Sequence, residues 1–291
     1  MKELRNISVV GLGLLGGSIA LAARQRLPGA RVIGYSHRAS TRAKARELGT
    51  GTEIVEDLAA AVRTADLVIL ATPISTFEGY FAEMSGSLPA GCIVTDVGST
   101  KVLPHQWAER RLDKRAHYVG SHPVAGSEQR GVEFARDDLF YQACCVLTVT
   151  QATNRTAVKS LKAFWSALGC SVQVLDPLEH DRIFANISHV PHVLAAGLVN
   201  ASDGGDMKFA GKGFLDSTRI ASGPPTIWTD VLMANSENIA NGIDQVIAEL
   251  KRLQAAIRGS ARQEIERLLE AAQEKRAALV QYKIRKKELL S

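Results

Sequence analysis

Short apolar runs alternate with helical patterns over residues 5–175 of the chain. The runs are rich in β-branched residues and lie at 7–10, 32–35, 67–71, 92–96, 118–121, 145–149 and 172–175. Runs that are apolar almost throughout suit strands covered on both faces, and helices between them imply right-handed crossovers. The pattern therefore predicts a doubly wound α/β domain with a mostly parallel sheet, which we expect to span residues 1–176.

The pattern becomes helical after the last of these runs. Asp176, Pro177 and Glu179 have the form of a helix start, with a capping aspartate, a proline in the first turn and a glutamate that faces back to the cap. Helices are predicted at 177–202, 225–258 and 261–289, and Pro191 should kink the first of them. Residues 177–291 are therefore expected to form an all-helical C-terminal domain.

One face of the second predicted helix is apolar. Its residues recur at helical spacing, at Ile243, Val246, Ile247, Leu250, Leu253 and Ile257. Such a face is buried against the same chain or against a second copy. Because the helical domain is small and its helices are long, we expect a homodimer through this domain.

Composition narrows the class of protein. The 291 residues are 46% hydrophobic, as in a globular protein, and the net charge of +5 is spread along the sequence. The one dense basic run, at 283–287, suits a solvated helix end better than a nucleic-acid site. The sequence has no secretory signal and no apolar stretch of membrane length, so we expect a cytoplasmic protein without membrane or nucleic-acid partners. The four cysteines lack a CxxC spacing, which favours buried thiols over metal ligands.

A glycine motif, G-x-G-x-x-G, follows the first predicted strand and opens a helix. It consists of Gly11, Gly13 and Gly16, with Leu14 and Leu15 between the second and third glycines. These glycines allow a tight turn, close approach of a pyrophosphate and close packing of helix on strand, while the helix N-terminus attracts negative charge. The motif therefore indicates a Rossmann-type domain that binds NAD or NADP.

The residues after the second predicted strand bear on which dinucleotide binds. An acidic side chain there usually binds the ribose hydroxyls of NAD, but this chain has Ser36, His37 and Arg38. Arg38 can pair with a 2′-phosphate, so NADP is favoured; a solvated Arg38 and use of both cofactors remain the alternative. The third run leads into Thr72 and Pro73, which we expect beside the cofactor at the carboxyl edge of the sheet.

Candidate reacting groups follow two further strands. Ser99 comes after the run at 92–96, and His122 comes after the run at 118–121. A neutral imidazole, with a reference pKa of about 6.5, can accept a proton from a substrate hydroxyl, and a nearby serine can orient it. The alternative is that His122 is a loop histidine with a structural role.

The helical domain supplies a second group of candidates. His189 and His192 are three residues apart and share a helix face, but a metal would need a third ligand and none is evident. Arg219 suits a substrate carboxylate, and Asp216 could hold its guanidinium in place. A surface ion pair is the alternative for these two residues.

Five segments carry a further signal in their order: GLGLLGGSIA, DVGSTK, GSHPVAGSEQRGVE, SHVPHVLAAGLV and GFLDSTRIASGPPTIWTDVLMANSENI. Together they resemble the motifs of the prephenate and arogenate dehydrogenases of tyrosine biosynthesis, from residue 5 to about residue 257. The glycine motif is shared with many dehydrogenases, whereas SHPxAGSE combined with GFxDxTRIA is specific. The resemblance implies oxidative decarboxylation of prephenate to 4-hydroxyphenylpyruvate, with hydride transfer from C4 to NAD(P)+ and no metal.

The resemblance also implies roles for the candidate residues. His122 would bind the C4 hydroxyl and promote its ionisation, and Ser99 would orient that histidine and the cofactor. His192 would contact the substrate side chain, and Arg219 would bind a substrate carboxylate. Three further residues would line or gate the pocket: Glu128, Asp216 and Trp228.

Alternatives to this function stay open. Prephenate is favoured, but arogenate, or both substrates, would suit the same motifs. A β-hydroxyacid dehydrogenase has the same outline, yet it would need a catalytic lysine after the nucleotide domain, and residues 187–200 contain none. A nucleotide-sensing module without turnover would carry the same glycine motif. The chain also has Leu215 where the family often has a basic residue, which bears on how the substrate is held.

Overall fold

The computed structural model describes residues 3–125 and 129–285. Within these ranges a six-stranded parallel sheet is formed by β1 (Asn6–Val10), β2 (Arg31–Tyr35), β3 (Glu53–Val55), β4 (Leu67–Leu70), β5 (Ile93–Asp96) and β6 (His117–Tyr118). The strand order is β3-β2-β1-β4-β5-β6. This is the order of a doubly wound dinucleotide-binding sheet, so the predicted Rossmann-type α/β fold is confirmed.

Helices cover both faces of this sheet. Successive strands are connected by α1 (Leu14–Arg26), α2 (Ala39–Glu47), α3 (Leu58–Val62), α4 (Phe77–Ser85) and α5 (Val102–Arg111). Side chains along a strand point alternately to the two faces, so Ile7 and Val9 of β1 join one core while Val10 joins the other. Because both faces are buried, the strand sequences are apolar almost throughout.

A second sheet corrects the prediction for the later strands. In the described residues it contains β7 (Gly120–Val124), β8 (Cys144–Thr148) and β9 (Ser171–Leu175), with α6 (Arg155–Ala167) between the last two. β7 runs antiparallel to β8, and β9 runs parallel to β8. The single strand predicted at 118–121 is wrong, because the chain leaves the parallel sheet at Val119 and pairs with β8 from Gly120 onward.

The predicted first helix of the C-terminal region is interrupted before its proline. α7 (Pro177–Phe184) and α8 (Val190–Ala201) are separated by a π-helical segment, Ala185–His189. Pro191 lies in the first turn of α8, where its missing N–H and its ring disturb the preceding hydrogen bonds. The irregularity predicted near Pro191 therefore takes the form of a wide turn that ends at His189.

The remaining helices differ from the prediction in two places. A short helix, α9 (Lys212–Thr218), was not predicted from the sequence. The single helix predicted at 225–258 is two helices, α10 (Pro225–Ala234) and α11 (Ser236–Arg258). The break is at Asn235, which has φ −132° and ψ 32° and is not helical. The last helix is α12 (Arg262–Arg285), and the final residues of the predicted range lie outside the described residues.

The described residues form two compact units, one ending at Ser236 and the other beginning at Glu237. The second unit consists of α12 and nearly all of α11, joined by a turn in which Ser260 has a φ of 50°. The domain boundary predicted at residue 176 stays a prediction. None of the described helices combines the length and apolarity that a membrane span needs.

Candidate active site

The glycine motif forms the tight turn between β1 and α1. Gly11 has φ +99°, and a Cβ there would lie 2.6 Å from the carbonyl oxygen of Ala71. A Cβ on Gly16 would collide with the carbonyl oxygen of Gly11, so this glycine permits close packing of the helix. A Cβ on Gly13 would meet no atom within 4 Å, which leaves open space before the helix N-terminus. The motif therefore has room for a pyrophosphate where the helix provides free N–H groups.

The loop after β2 is held in place by an arginine that sequence reasoning missed. Arg42 donates from Nη1 to the carbonyl oxygens of Ser36 (2.8 Å) and His37 (3.1 Å), and from Nη2 to Glu56 (3.1 Å). Ser36 is buried and its hydroxyl accepts the N–H of Arg38 at 3.3 Å. The side chains of His37 and Arg38 are exposed at this loop.

The loop after β4 lies against the glycine motif. Thr72 Oγ1 is 2.7 Å from Thr76 Oγ1, and the hydroxyl of Thr76 donates to the carbonyl of Pro73 at 2.6 Å. A Cβ on Gly11 would lie 2.7 Å from Cγ2 of Thr72. The structure thus brings Thr72 and Pro73 to the same carboxyl edge as the glycines.

His122 lies inside a strand rather than in a loop. It is the third residue of β7, opposite Val146 of β8, and its side chain is buried. Its Nδ1 is 2.9 Å from Nε2 of His180, and its ring centroid is 4.5 Å from that of Phe184. The strand and α7 therefore fix the orientation of this imidazole.

The partner of His122 is itself held by a buried carboxylate. His180 Nδ1 is 2.7 Å from Oδ1 of Asp181, and Asp181 also accepts the backbone N–H groups of Lys101 (2.7 Å) and Val102 (2.9 Å). An ionised carboxylate only accepts hydrogen bonds, so the proton of neutral His180 is on Nδ1 and its Nε2 is an acceptor. His122 must then donate from Nδ1, which leaves the lone pair of its Nε2 available.

Burial keeps this pair of imidazoles uncharged. Burial lowers the pKa of His122 well below its ordinary value, and the neighbouring His180, Lys101 and His189 lower it further. Burial likewise lowers the pKa of His180 to about 2. Near neutral pH, His122 is therefore a neutral hydrogen-bond acceptor at Nε2.

Sequence reasoning missed His180 and Asp181. Both belong to α7, whose start was predicted, but the two residues are adjacent in sequence, and nothing in their spacing links them to β7. Asn235, at the unpredicted break, donates from Nδ2 to the backbone carbonyl of Asp181 at 2.8 Å. The break between α10 and α11 therefore places the side chain of Asn235 where it holds the backbone of Asp181.

Ser99 lies on the loop between β5 and α5 and is partly buried. In the part of the chain that the structure describes, no hydrogen bond joins Ser99 to His122; the histidine is paired with His180 instead. The loop is anchored at Asp96, which accepts the N–H of Gly98 at 2.7 Å. A role for Ser99 in orienting His122 stays a prediction.

Two predicted substrate residues of the helical region are stacked on each other. The rings of His192 and Trp228 are 3.5 Å apart between centroids and 11° from parallel. His192 Nδ1 and His189 Nε2 are buried and have no hydrogen-bond partner among the described residues. Buried imidazole nitrogens without a partner suit a site that receives a polar ligand.

The other predicted substrate residues are more exposed. Asp216 lies on α9 and accepts hydrogen bonds from Lys212 Nζ at 2.9 and 3.2 Å, and Arg219 lies in the turn that follows α9. Leu215, where the sequence resemblance often has a basic residue, is 60% exposed. Glu128 lies outside the described residues. Within residues 3–125 and 129–285, no group of three His, Cys, Asp or Glu side chains has the arrangement of a metal site.

The fold and this geometry define a class of protein. A doubly wound sheet with a glycine cradle, beside a buried neutral imidazole held in one tautomer, is the arrangement of a nicotinamide-dependent dehydrogenase.

Comparison with known proteins gives the family. Residues 19–174 match the family model described as prephenate dehydrogenase, nucleotide-binding domain, and residues 176–274 match prephenate dehydrogenase, dimerization domain. The prephenate dehydrogenase of Bacillus subtilis is 34% identical over 287 residues, covering 96% of this chain and 77% of that protein. The cyclohexadienyl dehydrogenase of Zymomonas mobilis is 32% identical and covers 96% of each chain.

A solved structure agrees with these sequence matches. The prephenate dehydrogenase of Aquifex aeolicus, in complex with hydroxyphenyl propionate and NAD+, has a TM-score of 0.89 and 32% identity, covering 96% of this chain and 99% of that one. The chain belongs to the prephenate dehydrogenase family.

Proposed function

We propose that this chain catalyses the oxidative decarboxylation of prephenate to 4-hydroxyphenylpyruvate. The observation that carries the proposal is the free Nε2 lone pair of His122, fixed by the hydrogen bonds from His122 through His180 to Asp181. Oxidation at C4 of the ring needs an acceptor for the hydroxyl proton, and a buried neutral imidazole is suited to that task. Membership of the family gives the proposal its substrate.

The reaction follows from where the protons and electrons go. His122 Nε2 accepts the proton of the C4 hydroxyl while the C4–H bond breaks and C4 becomes a carbonyl carbon. A bound nicotinamide supplies the hydride acceptor for this step. The C–C bond to the ring carboxylate then breaks, carbon dioxide leaves, and the electron pair of that bond makes the ring aromatic as a phenolate. The proton held by His122 returns to the phenolate oxygen. The protein needs only to orient the reactants and to hold the proton.

His180 and Asp181 act through His122. When His122 takes up the proton it becomes an imidazolium, and its Nδ1–H donates to His180 Nε2 as a charge-assisted hydrogen bond. Asp181 keeps His180 in the tautomer that accepts this bond. The two residues are therefore positioning residues rather than groups that touch the substrate.

Substrate binding falls to the helical region. Arg219 would pair with a substrate carboxylate, and the stacked His192 and Trp228 would contact the side chain of the substrate. Ser99, Asp216 and Glu128 are proposed at the same pocket on the strength of the family motifs alone.

Arogenate is a second candidate substrate. The Zymomonas mobilis relative, which covers 96% of each chain, is named a cyclohexadienyl dehydrogenase. The unpartnered Nδ1 of His192 also suits a polar side chain of either the pyruvyl or the alanyl kind. Both substrates belong in the same assay.

NADP is the proposed preferred cofactor. The loop after β2 offers the exposed side chains of His37 and Arg38 and no carboxylate among residues 36–38, and Arg42 holds Glu56. A guanidinium at this position suits the 2′-phosphate of NADP. NAD remains the alternative.

A homodimer through the helical region is also proposed. The matched family model is described as a dimerization domain, and Leu250 and Ile257 of α11 are 56% and 58% exposed in the single chain. Light scattering should give twice the mass of one chain.

The test of the activity is a steady-state assay that crosses two substrates with two cofactors. We expect reduced cofactor and carbon dioxide to form in equal amounts with prephenate and NADP+. If neither substrate reduces either cofactor, the enzyme proposal fails and a nucleotide-binding module without turnover is favoured.

A further inference from the structure

A lysine and an aspartate form an ion pair in the interior, next to the catalytic groups. The side chains of Lys101 and Asp96 are both fully buried, and Lys101 Nζ donates to Asp96 Oδ1. Asp96 also accepts the N–H of Gly98 at 2.7 Å and the hydroxyl of Tyr118 at 2.6 Å. Such a pair loses the solvation of two ions, and apolar residues of similar volume often replace it without loss of stability. Stability alone therefore does not explain its presence.

Lys101 contacts the elements that carry both imidazoles. Its backbone N–H donates to Asp181, which holds His180 on α7. Its stem lies against β7, because a Cβ on Gly120 would be 2.9 Å from Cδ of the lysine. Gly120 and His122 are two residues apart and lie on the same face of this strand. Lys101 is therefore packed between β5, β7 and α7.

The ammonium group of Lys101 acts electrostatically on the imidazole pair. It lowers the pKa of His122 and that of His180, and after burial it is the first cause of the shift at His180. The other titratable neighbours that lower the pKa of His122 are His180 on α7 and His189 in the π-helical segment. The ammonium of Lys101 therefore acts in the same direction as burial at both imidazoles.

We infer that Lys101 is a positioning residue of the reaction, whose buried side chain, held by Asp96, fixes β7 against α7 and places a positive charge beside the His122–His180 pair. The inference rests on the proposed function, since it concerns the same proton acceptor. The ammonium also disfavours protonation of His122 before substrate binds, so that Nε2 stays an acceptor. The charge of Lys101 would thus keep His122 unprotonated, and able to accept the substrate proton, at lower pH.

The experiment replaces the lysine and records the pH dependence of kcat/KM. Lys101→Met removes the charge and keeps the stem, so protonation of His122 becomes easier and its pKa rises. We expect the acid limb of the profile to move to higher pH by about one unit. Arg111→Met is the matched control, because it removes an exposed positive charge from the far end of α5 and should leave the limb in place.

A second variant separates this role from folding. Lys101→Met leaves Asp96 as a buried carboxylate without its cation, so the double variant Asp96→Asn/Lys101→Met removes both charges. We expect the double variant to fold with a Tm near that of the original chain and to show an upward shift of the acid limb that is smaller than in Lys101→Met, because a negative charge is removed together with the positive one. A folded variant whose acid limb stays in place overturns the inference, as does failure of both variants to fold, since the pair would then serve the fold alone.

Failure of the proposed function is distinguishable from failure of this inference. NMR titration of the His122 and His180 side chains needs no substrate, and it should show both pKa values raised in Lys101→Met. If the original chain oxidises neither substrate while this shift is present, the function is wrong and the electrostatic role of Lys101 stands.

Discussion

Replacing His180 by phenylalanine should lower kcat while leaving KM almost unchanged. The substitution keeps an aromatic ring against Phe184, whose centroid is 4.4 Å from that of His180. It removes the only hydrogen-bond partner that the described residues give to His122 Nδ1, at 2.9 Å. His122 would still reach the substrate, but its imidazolium form would have no acceptor. The loss therefore falls on the transition state rather than on substrate binding.

The expected size follows from that hydrogen bond. A hydrogen bond to a charged group contributes about 1.5–3 kcal/mol, and each ~1.4 kcal/mol corresponds to a tenfold change in rate. His180→Phe should therefore lower kcat by about 10- to 150-fold. Asp181 retains the N–H groups of Lys101 and Val102, but the buried Nδ1–H of His122 loses its acceptor, so the cost to folding should be about 1–3 kcal/mol.

The assay is steady-state reduction of the cofactor with saturating and limiting prephenate. Phe184→Leu is the matched control, because it removes a ring that packs on both imidazoles and leaves the bond between them intact. We expect that control to keep kcat within about threefold. A His180→Phe enzyme with near-native kcat, or one in which KM alone rises, would refute the proposed relation between the two histidines.

Three further predictions concern substrate, cofactor and pH. Arg219→Ala should chiefly raise KM for prephenate, by about tenfold or more, with a small effect on kcat; steady-state kinetics checks this. Arg38→Ala should lower kcat/KM for NADP+ by about tenfold and change that for NAD+ little, so an equal loss with both cofactors would count against the 2′-phosphate contact. Burial lowers the pKa values of His105, His189 and His180 to about 4, about 4 and about 2, and it also lowers that of His122, so all four imidazoles are neutral in the folded protein. As pH falls through about 6.5, these imidazoles take up protons in the unfolded chain but not in the folded chain. The free energy of unfolding should therefore be highest above that pH and should decrease towards pH 4. The decrease should be up to ~1.4 kcal/mol per pH unit for each imidazole. Urea unfolding at a series of pH values measures this slope, and a flat profile would contradict it.

The elements that were predicted well from the sequence are those whose structure is determined by residues close to them in the chain. The glycine motif of Gly11, Gly13 and Gly16 has a position between strand and helix that is set by neighbouring residues, and the structure forms a tight turn there. The apolar runs of the parallel sheet are continuous because both faces are covered. These signals are contained within a few residues of sequence.

The elements that were missed depend on distant partners. The chain changes sheets at Val119 because Gly120–Val124 pairs with residues of β8 that lie 20 to 28 positions later, and the apolar run itself gives no sign of that change. β3 has three residues, too few for a reliable pattern. The helix break at Asn235 is stabilised by a bond to Asp181, which is 54 residues away in sequence.

The residues of the candidate site also divide into those with a local sequence signal and those that are recognised only by contacts with distant residues. Sequence motifs identified His122 and His192, and the structure buries both. They did not identify His180, which contacts His122 across 58 residues, or Arg42, which supports the loop after β2 from one turn into α2. The family resemblance implies that Ser99 orients His122, which stays a prediction, and the hydrogen bond found at His122 Nδ1 is to the imidazole of His180.

The central claim is that His122 accepts the substrate proton. The most direct test is the kcat of His122→Asn with prephenate, measured beside the original chain at neutral pH. Asparagine fits the space but cannot take up a proton, so we expect kcat to fall by about 10²- to 10⁴-fold with a much smaller change in KM. A variant that keeps near-native kcat would show that another group accepts the proton and would contradict the account.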